Sequence, residues 1–474
     1  MYKKGLVYII AAIAATGGLL FGFDTGVISG AIPFFQNYFE VNDSAVEWVT
    51  TAGPIGAIIG AISCGKISDL FGRKKIILLA AVIFAAGALW SGAARSIEIL
   101  VYARLFLGIA IGISSFSAPL YIAEISPAKS RGSLVGLFQL MITMGILLSY
   151  FSDLFYADEQ NLSCWRPMFY AGLIPALVLL VGVFFLPESP RWLISRGQIE
   201  KGREVMSKIE PPEYVESVLS KIESELRSKS ADVFRARDLF TSRLKTPLII
   251  AVFIMFFQQF VGINTVIYYS PKIFLMAGFD GAVSAIWAAV GIGVVNVCFT
   301  ILSVFFIDRI GRRRLYFLGL TGIALSLVSL SCCFAFAGST GEAGKWLSVI
   351  LMFIYVAFFA VSIGPLGWLI ISEIFPQKLR GLGASIGSLS VWLFNGAVTF
   401  TFFKIVNLFS LPGTELSVAG ESTSNPAGAF LFYGLIALAG LLWGYFFIPE
   451  TKGVSLEQIE QHWLKGGNAR QLRK

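Results

Sequence analysis

Three side-chain amides fall within seven residues of an otherwise apolar stretch: Gln258, Gln259 and Asn264 in the run Phe257-Gln258-Gln259-Phe260-Val261-Gly262-Ile263-Asn264. An amide left without partners in hydrocarbon costs several kcal/mol. Amides at this depth therefore face a bundle interior or a wet cavity rather than lipid. Each offers two N–H donors and an acceptor oxygen, which suits a neutral ligand rich in hydroxyls, and Tyr268 and Tyr269 follow close behind. On a straight helix Gln259 and Asn264 would point about 140° apart. Either a pocket wraps around this helix, or the helix is distorted near Gly262. The plainer alternative is hydrogen-bonding glue between membrane helices. The other chemically exposed group is Asp24, in the middle of the first apolar segment and its only carboxylate. A charged Asp there costs a few kcal/mol, so it needs a role or a partner. Arg104, inside the fourth apolar segment, is the natural partner.

The elements that must position these groups are membrane helices. Apolar residues make up 56% of the 474, and charged residues only 14%, against about 25% charged in soluble domains. A helical span needs roughly 20 apolar residues. Twelve such segments are expected, at approximately 6–32, 46–66, 76–94, 98–124, 133–153, 166–186, 247–275, 282–307, 314–337, 346–375, 382–408 and 427–448. The first is too long for the apolar core of a signal peptide and has no convincing cleavage site, so it reads as a span. The five cysteines show neither a disulfide framework nor metal spacing.

Basic residues set the expected orientation. With the N-terminus inside, 31 of the 37 Lys and Arg fall on inside segments, which places both termini in the cytoplasm. The net charge of +8 thus reflects membrane topology and gives no reason to expect nucleic acid. Residues 187–246 form the one large polar insert, with alternating charges and a Pro211-Pro212 break. Short amphipathic helices are expected there. The chain divides into an N-terminal six-helix bundle (1–186), a cytoplasmic linker (187–246), a C-terminal six-helix bundle (247–448) and a cytoplasmic tail (449–474).

The halves repeat. Gly65-Lys66-Ile67-Ser68-Asp69-Leu70-Phe71-Gly72-Arg73-Lys74 is echoed by Asp308-Arg309-Ile310-Gly311-Arg312-Arg313-Arg314. Glu124-Ile125-Ser126-Pro127 with Arg131-Gly132 is echoed by Glu373-Ile374-Phe375-Pro376 with Arg380-Gly381, and Pro187-Glu188-Ser189-Pro190-Arg191 by Pro449-Glu450-Thr451-Lys452-Gly453. Parallel repeats of this kind imply two bundles around a central site near the midplane. The repeated charges, Arg73, Glu124, Arg131 and Glu188 in one half with Arg312, Glu373, Arg380 and Glu450 in the other, are expected to form ion-pair clusters at the cytoplasmic mouth. These are either a gate or a static scaffold.

Together with the Gln-Gln-x-x-Gly-Ile-Asn run, these motifs resemble the sugar porter branch of the major facilitator superfamily, which includes bacterial sugar–proton symporters and facilitative glucose transporters. The resemblance covers nearly the whole chain. It implies an all-α, twelve-helix fold and alternating access, with a monosaccharide held between the halves and no cofactor, metal or enzymatic activity. Carried over position by position, the family's sugar contacts fall on Gln139, Gln258, Gln259, Asn264, Asn296 and Trp368, with Trp392 at the pocket edge. The family's proton-coupled members carry an Asp and an Arg where Asp24 and Arg104 stand, and its uniporters typically carry a neutral residue at the first. In that family the cytoplasmic clusters hold the outward-facing state closed inside. Val391 departs from relatives that have Asn or Gln there, and Ile146 matches glucose carriers rather than a xylose carrier. Ile267 replaces a common Phe or Leu.

The expected function is a proton-coupled importer of a hexose such as glucose, monomeric, in a bacterial plasma membrane, with the lipid bilayer and the proton as its other partners. A facilitative uniporter and a non-transporting sugar sensor are the rivals. Asp24 speaks against the first, and a tail of about 25 residues after Pro449 against the second. No Ser/His, Cys/His or metal cluster supports a membrane enzyme, and the single histidine, His462, lies in the tail.

Overall fold

The structure, a computed structural model, describes residues 4–127, 130–231, 245–375, 380–410, 416–418, 421–454 and 456–472. Among them are twelve helices long and apolar enough to cross a membrane. Spans 1 to 5 are single helices: Lys4–Tyr38, Asp43–Phe71, Arg73–Gly92, Ile97–Ile125 and Arg131–Tyr156. Span 6 runs through a 3-10 turn (Leu162–Cys164) and the helices Trp165–Ala171 and Leu173–Phe185. Span 7 is broken into 7a (Lys245–Phe260) and 7b (Ile263–Met276), and span 10 into 10a (Ala337–Val361) and 10b (Ile363–Ile374). Spans 8, 9, 11 and 12 are Ala282–Ile310, Arg312–Ala335, Arg380–Leu408 and Ala427–Phe447. The polar insert forms the expected short helices, Pro190–Ser195, Ile199–Ile209 and Pro212–Ala231, with the break at Pro211. Its last stretch, 232–244, lies outside the described residues. A short antiparallel hairpin, Leu416–Val418 with Glu421–Thr423, joins spans 11 and 12 and had no counterpart in the sequence reading.

The chain forms two compact units: Met1–Asp24, Ala52–Leu148 and Arg166–Phe234, and Thr25–Thr51, Ser149–Trp165 and Arg235–Lys474. In the first, spans 2 and 4 meet backbone to backbone. A Cβ on Gly56 would lie 2.1 Å from the Leu105 carbonyl oxygen, and one on Gly60 would lie 2.2 Å from that of Ile109. Small residues are what permit this approach where no water drives helices together. In the second, the latter part of span 1, the start of span 2 and the end of span 5 pack with the C-terminal spans.

Candidate functional site

The three amides of span 7 sit astride the break. Gly262 takes the left-handed conformation, φ 86° and ψ 17°, and caps 7b. Of the two options the sequence left open, the distorted helix is the one found. Its consequence is a relay. Asn264 Nδ2 donates to Gln259 Oε1, Gln259 Nε2 donates to Gln258 Oε1 at 3.0 Å, and Gln258 Nε2 donates to the carbonyls of Ile363 (3.1 Å) and Gly364 (2.7 Å). Those carbonyls lie in the first turn of 10b, just past the break of span 10 at Ser362, where Pro365 has no N–H to offer the preceding turn. In return, Tyr355 of 10a donates its hydroxyl to the Val261 carbonyl at 2.8 Å, at the break of span 7. Each broken helix therefore sends a side chain to backbone carbonyls at the break of the other, which ties the two irregular segments together at membrane depth. The relay uses one N–H of Asn264 and one of Gln259, so both amides keep hydrogen-bonding capacity for a ligand. Gln258 spends its N–H groups on the span 10 break and thus acts as a brace.

The other expected contacts are placed as follows. Asn296 on span 8 and Trp392 on span 11 are buried, whereas Trp368 on 10b is 40% exposed. Gln139 stands half-buried on span 5 of the first unit.

Asp24 and Arg104 come together as expected. Arg104 Nη1 donates to Asp24 Oδ1, and the residues are 3% and 1% exposed. The guanidinium carbon lies 5.9 Å from the Phe169 ring centroid. Among the described residues Arg104 Nε has no hydrogen-bond partner, and Asp24 is the anion this buried cation pairs with.

The repeated charges form two matching clusters, one in each unit. Arg73 pairs with Glu124 at 3.0 Å, and Arg312 pairs with Glu373 at 2.9 Å. Ser189 donates to Glu124 at 2.5 Å, and Thr451 donates to Glu373. Glu188 accepts the backbone N–H groups of Arg73 (2.9 Å) and Lys74 (3.1 Å), and Glu450 accepts those of Arg312 (3.1 Å) and Arg313 (3.2 Å). Each carboxylate thus caps the first turn of a span, where orphan N–H groups and the helix dipole favour an anion. Arg131 is an exception. It is exposed and reaches the Ser126 carbonyl at 3.5 Å. Its charged neighbour is the linker's Glu210, whose carboxyl is lifted by partial burial and drawn back down by Arg131. The side chain of Arg380 and the whole of Pro376 lie outside the described residues.

A family model described as sugar (and other) transporter matches residues 10–463. The chain belongs to the sugar transporter family. It is 34% identical over 471 residues to the galactose-proton symporter of Escherichia coli K12, covering 99% of this chain and 97% of that one. It is 37% identical over 459 residues to a D-xylose transporter of Levilactobacillus brevis, covering 97% and 95%. The fold matches the major facilitator superfamily proton:xylose symporter XylE, solved with 6-bromo-6-deoxy-D-glucose bound, at a TM-score of 0.80 and 32% identity, over 98% of this chain and all of that one. XylE from E. coli has also been solved inward open, matching at a TM-score of 0.79 and 30% identity over 96% of this chain and 100% of that one. Members of this family are transporters, not enzymes.

The transporter carries a second set of polar contacts that the sequence reading missed, all within the second unit. Lys272 on 7b pairs with Asp43 of span 2, donates to Gln36 Oε1 at 3.1 Å and sits 4.5 Å from the Phe403 ring centroid. Glu47 accepts the backbone N–H of Phe403 at 3.0 Å and pairs with Lys404 at 3.1 Å. Tyr269 donates to the Thr399 carbonyl at 3.2 Å, four residues back along span 11 from Phe403. Ser29 and Ser270 share a hydrogen bond of 3.2 Å, and Tyr150 donates to the Ile267 carbonyl at 2.8 Å. Span 7b is thereby tied to spans 1, 2, 5 and 11.

The brace between the broken helices predicts a stability effect. Tyr355→Phe leaves the Val261 carbonyl, and Gln258→Ala the carbonyls of Ile363 and Gly364, without these donors. Each loss is expected to cost about 1–3 kcal/mol. Thermal unfolding in detergent should show both variants melting below wild type, and unchanged melting in both would mean that the brace contributes nothing.

Proposed function

We propose that this chain is a proton-coupled monosaccharide importer, with a hexose such as glucose as its cargo, Asp24 as the proton site and Arg104 as its partner. The observation that carries the reading is the carboxylate of Asp24, buried in mid-span against a single buried guanidinium. A charged pair at that depth is costly, and a carboxylate whose cationic partner changes position between access states binds its proton differently in each. The relay of Asn264, Gln259 and Gln258 on broken spans supports a hydroxyl-rich cargo, with Asn296, Gln139, Trp368 and Trp392 as further contacts. A Trp ring can lie against the apolar face of a pyranose while its N–H finds a polar partner. The distribution of Lys and Arg supports cytoplasmic termini in a bacterial plasma membrane. The Arg–Glu clusters at the motif-bearing ends of the spans then lie at the cytoplasmic mouth, and we assign them the inner gate. The working unit is a monomer. Uptake of a panel of labelled sugars into proteoliposomes, with and without an inward proton gradient, tests the whole reading. Accumulation of a hexose only with the gradient is expected, and uptake that merely equilibrates under both conditions would replace the symporter by a uniporter.

The amides carry a separate expectation. Gln259→Ala and Asn264→Ala should weaken sugar binding by about 1–3 kcal/mol, roughly 5- to 150-fold, while leaving folded protein. Calorimetry that returned wild-type affinity for both would move the sugar elsewhere.

A further inference from the structure

Asp153 lies near the end of span 5 with no exposed surface. Among the described residues neither of its carboxylate oxygens makes a well-formed hydrogen bond; the Gly30 backbone N–H lies near enough to interact with the carboxylate, without adequate geometry. It is wedged against span 1, where a Cβ on Gly30 would come within 2.5 Å of both Asp153 Cβ and Oδ2. Two contacts already described lie on its neighbours: Ser29, next to Gly30, with Ser270, and Tyr150, near enough to feel Asp153, with the Ile267 carbonyl. Among the described residues, the ionisable groups around it offer no counter-charge. Tyr150 on its own helix and the Cys164 thiol of the 3-10 turn are close enough to feel it. Span 1 has no ionisable residue from Thr25 to Gln36. On 7b, Tyr268 neighbours Tyr150, and Lys272 is taken by Asp43. A carboxylate with no cation and only the poorly placed Gly30 N–H beside it would carry a cost of several kcal/mol in such a place, which a neutral acid avoids.

We propose that Asp153 is a second proton-binding carboxyl of this chain, holding its proton while spans 1, 5 and 7b are packed together and releasing it to water when that packing opens. Opening admits solvent to the carboxyl. The O–H bond breaks, water takes the proton, and the hydrated carboxylate resists being buried again. Repacking requires the proton back. An Asp in water ionises near pH 4, so the packed arrangement binds the extra proton and is favoured by acid, while rising pH favours the open one. The sequence gives no hint of this, because a lone Asp close to a span end reads as a surface residue.

The inference deepens the proton-coupled reading but is tested apart from it. Ser270 is fully buried beneath the packed segments, so a thiol placed there reports their opening. Ser270→Cys protein in lipid nanodiscs is treated with a maleimide across a pH series, and modification of residue 270 is followed by peptide mass spectrometry. Dividing each rate by that of the same thiol in denatured protein removes the thiolate's own titration. The normalised rate should climb with pH, by up to about tenfold per unit, equally with Asp24 intact or as Asp24→Asn. It should be flat in Asp153→Asn, which mimics the neutral acid, and in Asp153→Leu, which keeps an apolar filling if the amide is poorly tolerated. A flat profile with Asp153 present, or a slope that survives in either Asp153 variant, overturns the proposal. A slope lost only in Asp24→Asn would assign the pH dependence to Asp24 and equally overturn it. Gradient-driven uptake does not enter this measurement, so failure of the symport reading would show separately.

Discussion

Asp24→Asn should abolish sugar accumulation driven by an inward proton gradient while leaving sugar exchange across the same membranes. Asn has the size of the neutral acid and can still accept from Arg104 Nη1, so the contact between spans 1 and 4 is kept in shape. What it lacks is a proton to gain or lose. The amide relay on span 7 is untouched, so cargo should still bind and move down its own gradient. Arg104→Ala should also uncouple, by removing the charge against which Asp24 titrates. If the pair is only a static tie, the pattern differs. Each single variant would then leave a buried group unmatched and lose folded protein, at about 3–5 kcal/mol for a broken buried pair. The double variant Asp24→Asn, Arg104→Gln would fold and regain accumulation. Counterflow and gradient-driven uptake on the same proteoliposomes separate these outcomes, and accumulation persisting in Asp24→Asn would remove this residue from the coupling step.

The pair was legible in the sequence because a charge in an apolar segment stands out against its neighbours and there was one candidate cation nearby. The spans were legible for the same reason, and the repeats showed that Arg73 and Arg312, like Glu188 and Glu450, hold equivalent places. Pairing beyond that was harder to read. Arg131 keeps the seven-residue spacing from Glu124 that Arg380 keeps from Glu373, yet its charged neighbour is Glu210 of the linker, whose position depends on how the linker folds back. Lys272 and Asp43 are 229 residues apart, and Glu47 and Phe403 are 356 apart. Single polar groups so far apart leave no periodic trace. Tyr355 was hidden differently. It donates to a backbone carbonyl, and no side-chain pattern marks which carbonyls a helix break will free. Tyr269 was noticed beside the amides, but its hydroxyl goes to the Thr399 carbonyl of span 11. The amide run announced a special place, but its geometry turned on the conformation of one glycine.

That glycine carries the other large expected effect. Gly262→Ala should lower sugar affinity by more than about tenfold and depress the melting temperature. Two costs act together. A φ of 86° at this position puts an L-residue in the left-handed region, at about 1–2 kcal/mol. The new Cβ would also stand 2.9–3.2 Å from three carbons of the Tyr433 ring, which is fully buried and has little room to yield. The surrounding hydrogen bonds leave the break nowhere to slide. The Gly262 N–H donates to the Gln259 carbonyl, and the N–H groups of Thr265 and Val266 reach the Gly262 carbonyl. Relief by straightening span 7 would turn Gln259 and Asn264 about 140° apart, severing the relay and removing the Val261 carbonyl from Tyr355. The two costs can be told apart. Gly262→Asn tolerates the backbone conformation better than Ala but keeps the clash, whereas adding Tyr433→Ala to Gly262→Ala relieves the clash and keeps the strained φ. Partial recovery of affinity in the double variant is expected, measured by calorimetry beside thermal unfolding. Wild-type affinity and melting in Gly262→Ala itself would mean that cargo binding does not need the broken helix, and that the amides work from some other geometry.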